Sequence, residues 1–144
     1  MLKHIPPIIS PELMKIMMEM GHGDELVLAD GNFPAASSAR RLLRADGHGV
    51  PELLDAILAF YPLDTYVAHP VTLMAVVPGD SVGQPAIWDE YRSIVSKHGD
   101  DRGFEYAERF DFYERAKEAY AIVATSERAL YANIILKKGV IPSQ

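Results

Sequence analysis

A histidine stands between two glycines at Gly21-His22-Gly23, and eight residues later an aspartate, Asp30, ends the short apolar run Leu-Val-Leu-Ala. Histidine titrates near neutrality and can both give and take a proton. Flanking glycines leave its imidazole unshielded, in a backbone free to take unusual dihedrals. An acid at the carboxyl end of a strand lies where open α/β sheets bind their ligands. The plain alternative is a helix ended by Gly21, a loop histidine, a strand, and a turn made by Gly31, Asn32 and Pro34. Near the other end of the chain, Tyr131-Ala132-Asn133 offers a phenol and an amide at alternate positions of an expected strand. Both side chains would then face the same way and suit a polyhydroxylated ligand, or else simply face solvent. Arg40, Arg41 and Arg44 could bind an anion or merely flank a short strand with exposed charge.

Other chemistries are missing. The 144 residues include no cysteine, which removes disulfides, thiol catalysis and cysteine metal sites. No pair of histidines has metal-ligand spacing, and there is no glycine-rich phosphate loop, dinucleotide fingerprint or Gly-x-Ser-x-Gly elbow. The formal charge of -6 argues against a nucleic-acid partner, since phosphate binding needs a basic face. The first ten residues carry neither a signal peptide nor a membrane span, and the composition points to the cytoplasm. What remains is acid–base chemistry or simple binding, with no cofactor and no metal.

These residues must be positioned by regular elements. Ser10-Pro11-Glu12 is a helix start: serine caps, proline fits the first helical position, and glutamate suits the positive dipole end. Leu13, Met14, Met17, Met18 and Met20 then give a wide apolar surface for the core or a subunit contact, and Gly21 is expected to end the helix. A buried strand is expected over 25–29, a small-residue loop over 35–39, a short strand beside Arg40–Arg44, and a turn at 45–49 that leaves His48 in solvent. Helices are expected over 50–61, 86–96 and 110–119, strands over 70–77, 120–125 and 131–136, and a surface loop over 97–103. The interleaving predicts an α/β fold: one domain, 1–144, with a mixed sheet covered by helices on both faces.

Taken together, Gly21-His22-Gly23-Asp24, the acid Asp30 after Leu-Val-Leu-Ala, Arg109 before Phe-x-Phe-Tyr-Glu-Arg-Ala, and the Tyr131-Ala132-Asn133-Ile134-Ile135-Leu136-Lys137-Lys138-Gly139-Val140 segment resemble the L-fucose mutarotase and D-ribose pyranase family. The resemblance runs from Leu2 to Val140, and Pro7-x-Ile9-Ser10-Pro11-Glu12-Leu13 with Phe112-Tyr113-Glu114-Arg115-Ala116 is similar to the fucose branch. It implies that His22 is the catalytic acid and that Asp30, Arg109, Tyr131, Ala132 and Asn133 bind the sugar. Where Arg109 stands, the ribose branch has a histidine. Against that, Ala132 occupies a place where fucose mutarotases often carry glycine, so substrate choice stays open between L-fucose and D-ribose.

The implied reaction interconverts the α and β anomers of a free monosaccharide by acid–base ring opening and closure. The alternatives are pyran/furan interconversion of D-ribose, or sugar binding without chemistry. The resemblance further implies a homo-oligomer, with a decamer expected. A physical argument points the same way. Fully extended, the segment from His22 to Asp30 would span roughly 26 Å, far more than a sugar ring. Either the chain curls back sharply or a neighbouring chain supplies one of the two groups.

Overall fold

A computed structural model describes residues 1–144. Its eleven elements follow in the order α1 (Pro11–Glu19), β1 (Glu25–Ala29), α2 (Ala35–Ser38), β2 (Leu42–Ala45), α3 (Val50–Leu58), β3 (Val71–Met74), α4 (Ile87–Lys97), β4 (Glu105–Ala107), α5 (Arg109–Glu118), β5 (Ala121–Thr125) and β6 (Ile134–Lys137). The six strands form one sheet in the order β2-β5-β1-β6-β3-β4. The β1–β5, β2–β5 and β3–β4 pairs are parallel, whereas β6 is antiparallel to both β1 and β3. Five strands therefore run one way and β6 alone runs back.

The strand sequences explain the layering. β1 is central and reads as an unbroken apolar run, as expected for a strand covered on both faces. Leu26 and Leu28 point into a core built with α1, α3 and α4, while Val27 and Ala29 point into a second core with Phe112 and Ala116 of α5 and Ala35 of α2. The same alternation places Ala121 and Val123, and then Ile122 and Ala124, on opposite faces of β5. Truncating a side chain such as Leu26 to alanine would cost about 2–5 kcal/mol. The expected mixed α/β sheet with helices on both faces is thus present. No helix is long and apolar enough to cross a membrane.

Several boundaries differ from those the sequence suggests. Ser10 does cap α1, its hydroxyl accepting the Leu13 N–H at 3.1 Å. The helix, however, stops at Glu19 without Gly21: Lys138 Nζ donates to the carbonyls of Met17 and Met20 at its C-terminal end. α3 ends at Leu58, three residues early, and Tyr61 instead sends its hydroxyl to the Leu136 carbonyl at 2.9 Å. Residues 35–38 form one helical turn rather than a loop, and β4 is a short strand that no apolar run announces. β3 is shorter than the 70–77 run, and β6 begins at Ile134, three residues later than expected. The cause of the last is Tyr131, whose φ of 56° lies in the left-handed region and cannot continue a strand. Arg41 stacks on the Tyr120 ring at 3.9 Å and Arg44 pairs with Asp46 at 2.9 Å, so two of the three arginines are already committed.

Candidate functional site

The single reversed strand decides which residues meet. Because β6 runs against β1, the residues before β6 lie beside the carboxyl end of β1, and the residues after β6 lie beside its amino end. Two polar clusters result, one at each edge of the sheet.

At the first edge, Asp30 leaves β1 and enters a tight turn. Its carboxylate Oδ1 accepts the Asn32 N–H at 3.0 Å, an Asx-type turn. The Asp30 N–H donates to Asn133 Oδ1 at 2.7 Å, a contact between residues 103 apart in sequence. That bond fixes the Asn133 amide with its oxygen on the Asp30 N–H, and the Asn133 side chain also lies within reach of the Asp30 carboxyl. Asp30 is buried, and burial raises its carboxyl above the usual carboxylate range against the opposing pull of the Asn32 and Phe33 N–H groups and the Asn133 side chain. Tyr131 holds its left-handed backbone because its hydroxyl and its carbonyl are both tied down. Its hydroxyl donates to Asp80 Oδ2 at 2.6 Å and accepts the Val77 N–H at 3.2 Å, and its carbonyl accepts the Trp88 Nε1–H at 2.9 Å. Ala132 is fully buried, with its carbonyl bound by the Tyr91 hydroxyl at 2.6 Å.

Arg109 opens α5 at the same edge. Glu108 caps that helix, accepting the Phe110 and Asp111 N–H groups at 2.9 and 3.1 Å. The Arg109 guanidinium lies over the Phe110 ring at 4.8 Å and reaches the Tyr113 ring at 6.0 Å. Tyr113 in turn packs on Phe33 at 5.6 Å, so an aromatic chain links α5 to the Asp30 turn. No carboxylate pairs with Arg109, which leaves its fork of donors available beside a cavity of about 390 Å³ lined by Ala75, Val77, Tyr106 and Phe110.

At the opposite edge, His22 sits on a turn pinned to the end of β6. Gly23, at a φ of 87° that favours glycine, donates its N–H to the Lys138 carbonyl at 2.8 Å, and the Lys138 N–H donates to the Asp24 carbonyl at 2.8 Å. His22 Nε2 lies 3.0 Å from Asp64 Oδ1, and the imidazole packs at 5.1 Å on the Tyr66 ring. Its other flank borders a cleft of about 400 Å³ lined by Met18, Met20, Phe60, Gly139 and Ile141. Met18, Phe60, Val140 and Ile141 keep large apolar areas in solvent there, while Leu13, Met17 and Met20 of the methionine-rich helix are core.

The structure therefore brings Asp30, Arg109, Tyr131, Ala132 and Asn133 to one edge and leaves His22 at the other. The chain between His22 and Asp30 does not curl back: the five residues of β1 keep the two apart by about 17 Å at about 3.3 Å per residue. Tyr131 and Asn133 are not alternate positions of a strand, since both precede β6. Asp64 and Asp80 also enter these clusters, and no local pattern in the sequence singles them out. Their partners, His22 and Tyr131, lie 42 and 51 residues away, and nothing local marks them. No three His, Asp or Glu side chains converge as metal ligands.

Comparison with known proteins adds the family. The chain is 58% identical to the fucose mutarotase of Streptococcus pneumoniae, whose crystal structure was solved in complex with L-fucose, with a TM-score of 0.93 over 98% of this chain and 100% of that one. It is 52% identical to the human fucose mutarotase over 97% of this chain and 94% of that protein. The structure of Bacillus subtilis RbsD complexed with D-ribose shares the fold, with a TM-score of 0.74 at 22% identity over 99% of this chain and 100% of that one. The model of the RbsD / FucU transport protein family matches residues 3–141, and this chain belongs to that family.

Proposed function

We propose that the protein is an L-fucose mutarotase, an isomerase that interconverts the α and β anomers of the free sugar. The observation that carries the proposal is the edge at which Asp30, Asn133 and Arg109 gather, in a chain more than half identical to named fucose mutarotases over nearly its full length. Asp30 Oδ2, the Asn133 amide nitrogen and the Arg109 fork offer one acceptor and several donors, a set that suits sugar hydroxyls. Tyr131 and Ala132 contribute by placement: Tyr131 turns the backbone at the site, and Ala132 anchors it to Tyr91.

In the reaction, the His22 imidazolium protonates the ring oxygen as the bond from that oxygen to the anomeric carbon breaks, and is left as the neutral imidazole. Asp30 takes the proton of the anomeric hydroxyl, giving the open-chain aldehyde. Its burial favours the protonated form, which suits that task. The aldehyde rotates, the freed hydroxyl attacks its other face, and both protons return, so no atom or electron is gained or lost. His22 and Asp30 of one chain stand too far apart to share a sugar, which supports a site completed by His22 of a second copy. The exposed apolar cleft beside His22 is a surface that such a contact would bury, in a homo-oligomer for which we take a decamer as the working size. The cysteine-free composition suits a cytoplasmic enzyme.

The D-ribose alternative loses its one pointer, because the Ala132 side chain faces the core and presents nothing to a ligand. The deciding experiment is saturation-transfer NMR on equilibrated L-fucose, with D-ribose in parallel. Faster exchange between the fucose anomers is the expected result. Binding of fucose with no acceleration would reduce the protein to a sugar-binding module.

A further inference from the structure

The pair formed by His22 and Asp64 is built with more care than a surface contact needs. Asp64 is buried, and its Oδ1 receives both the Tyr66 N–H at 3.0 Å and His22 Nε2 at 3.0 Å. The Tyr66 N–H, and after it His22 and Lys137, hold the Asp64 carboxyl below the usual carboxylate range in spite of burial. An ionised carboxylate only accepts hydrogen bonds, so the imidazole nitrogen facing it must carry the hydrogen.

Both members of the pair are registered on the same three residues. The Asp64 N–H donates to the Lys137 carbonyl at 3.0 Å, Leu63 bridges to Lys138, and the Gly139 N–H donates to the Pro62 carbonyl at 2.8 Å. The His22 turn hangs from Lys138 through Gly23 and Asp24. This closeness requires glycine at 139: a Cβ there would stand 2.7 Å from the Leu63 carbonyl oxygen and 2.8 Å from the Asp64 Cα, both backbone atoms. The end of β6 thus sets the histidine and the aspartate in one frame.

We infer that Asp64 is a positioning residue that fixes His22 as its Nε2–H tautomer, so that Nδ1 is the nitrogen that exchanges a proton with the sugar. The inference rests on the reading of His22 as the catalytic acid. Asp64 itself does not reach the substrate: it lies behind the imidazole, whose ring is 43% exposed on the other side. During the reaction Nδ1 gives up and regains one proton, while Nε2–H stays on Asp64 throughout. The Asp64 carboxylate lies 3.0 Å behind the ring, on the side away from Nδ1.

The test uses the full-length assembled protein with ¹⁵N-labelled histidine. In wild type, the neutral imidazole of His22 should show the shifts of an Nε2–H tautomer. Asp64→Ala should let the two tautomers mix and lower kcat by roughly 10–100-fold, within the range that a positioned acid–base group supplies, with KM little changed. Asp64→Asn keeps an acceptor for both the Tyr66 and His22 hydrogens, so it protects the fold. It should retain the tautomer while losing part of kcat through the missing charge. An Nδ1–H tautomer in wild type, or a folded Asp64→Ala protein with wild-type kcat, would overturn the inference. The tautomer is read without any sugar, so a failure of the catalytic reading shows separately, as an active His22→Ala protein.

Discussion

Asp30 and Asp64 are buried aspartates at opposite edges of one sheet, and their surroundings push them in opposite directions. Asp30 has turn N–H groups and an amide for company, with the Glu127 charge nearby, and burial wins: its carboxyl holds a proton more tightly than usual. Asp64 has a backbone donor, a histidine and a lysine within range, and its carboxyl holds a proton less tightly. Burial decides the first case, and the donors and charges that face the carboxyl decide the second. The division suits the proposed reaction. The Asp30 edge is a place to bind hydroxyls and accept a proton, and the Asp64 edge is a place to hold a cation in a fixed orientation.

The sharpest way to break this contrast is to delete the histidine proposed as the catalytic acid. His22→Ala should lower kcat by about 10²–10⁴-fold while the protein stays folded with only a modest fall in melting temperature, because the imidazole is half-exposed and Asp64 keeps the Tyr66 N–H. At the other edge the expected injury is mixed. Asn133→Ala strips the buried Asp30 N–H of its acceptor, which should cost about 1–3 kcal/mol in denaturant unfolding and weaken fucose binding together. If His22→Ala instead unfolded the protein and Asn133→Ala spared its stability, the two edges would have been assigned backwards.

The two aspartates should also separate by pH. Asp64, with its lowered pKa, contributes stability above the ordinary carboxylate pKa that is lost as pH falls through the lowered value. Asp30, with its raised pKa, contributes below the ordinary value and loses that contribution as pH rises through the raised one. Asp30→Asn should therefore gain stability relative to wild type on going from about pH 4 to about pH 7, and Asp64→Asn should lose it. Melting curves of both variants at the two pH values check the sign. The mildest effect is expected at Arg109, which stacks on aromatic rings at the mouth of the first edge. Arg109→His should shift relative turnover towards D-ribose without abolishing activity; an unchanged fucose-to-ribose ratio would place selectivity elsewhere.

What could be read in the sequence was whatever a few neighbouring residues decide. The Ser10 cap, the apolar run of β1 and the acid at its end are local signals, and each stands where the sequence puts it. The split between edges was not legible, because it depends on β6 running backwards, a fact of pairing rather than of pattern. The left-handed Tyr131 was hidden for a similar reason. A tyrosine gives no warning of that conformation, which is imposed by Asp80, Val77 and Trp88 from other parts of the chain. Asp64 and Gly139 carry no local signal either, and only the close approach of their backbones gives them a role.

The central claim is that a working site takes His22 from one chain and Asp30 with Asn133 from another. The direct measurement mixes inactive His22→Ala and inactive Asn133→Ala subunits in equal amounts, allows them to exchange, and assays fucose anomer exchange on verified mixed oligomers. If each site draws the two groups from different chains, random assembly leaves about a quarter of sites with both wild-type residues, and activity should return to about that fraction of wild type. Mixed oligomers as inactive as their parents would contradict the account and return both groups to a single chain.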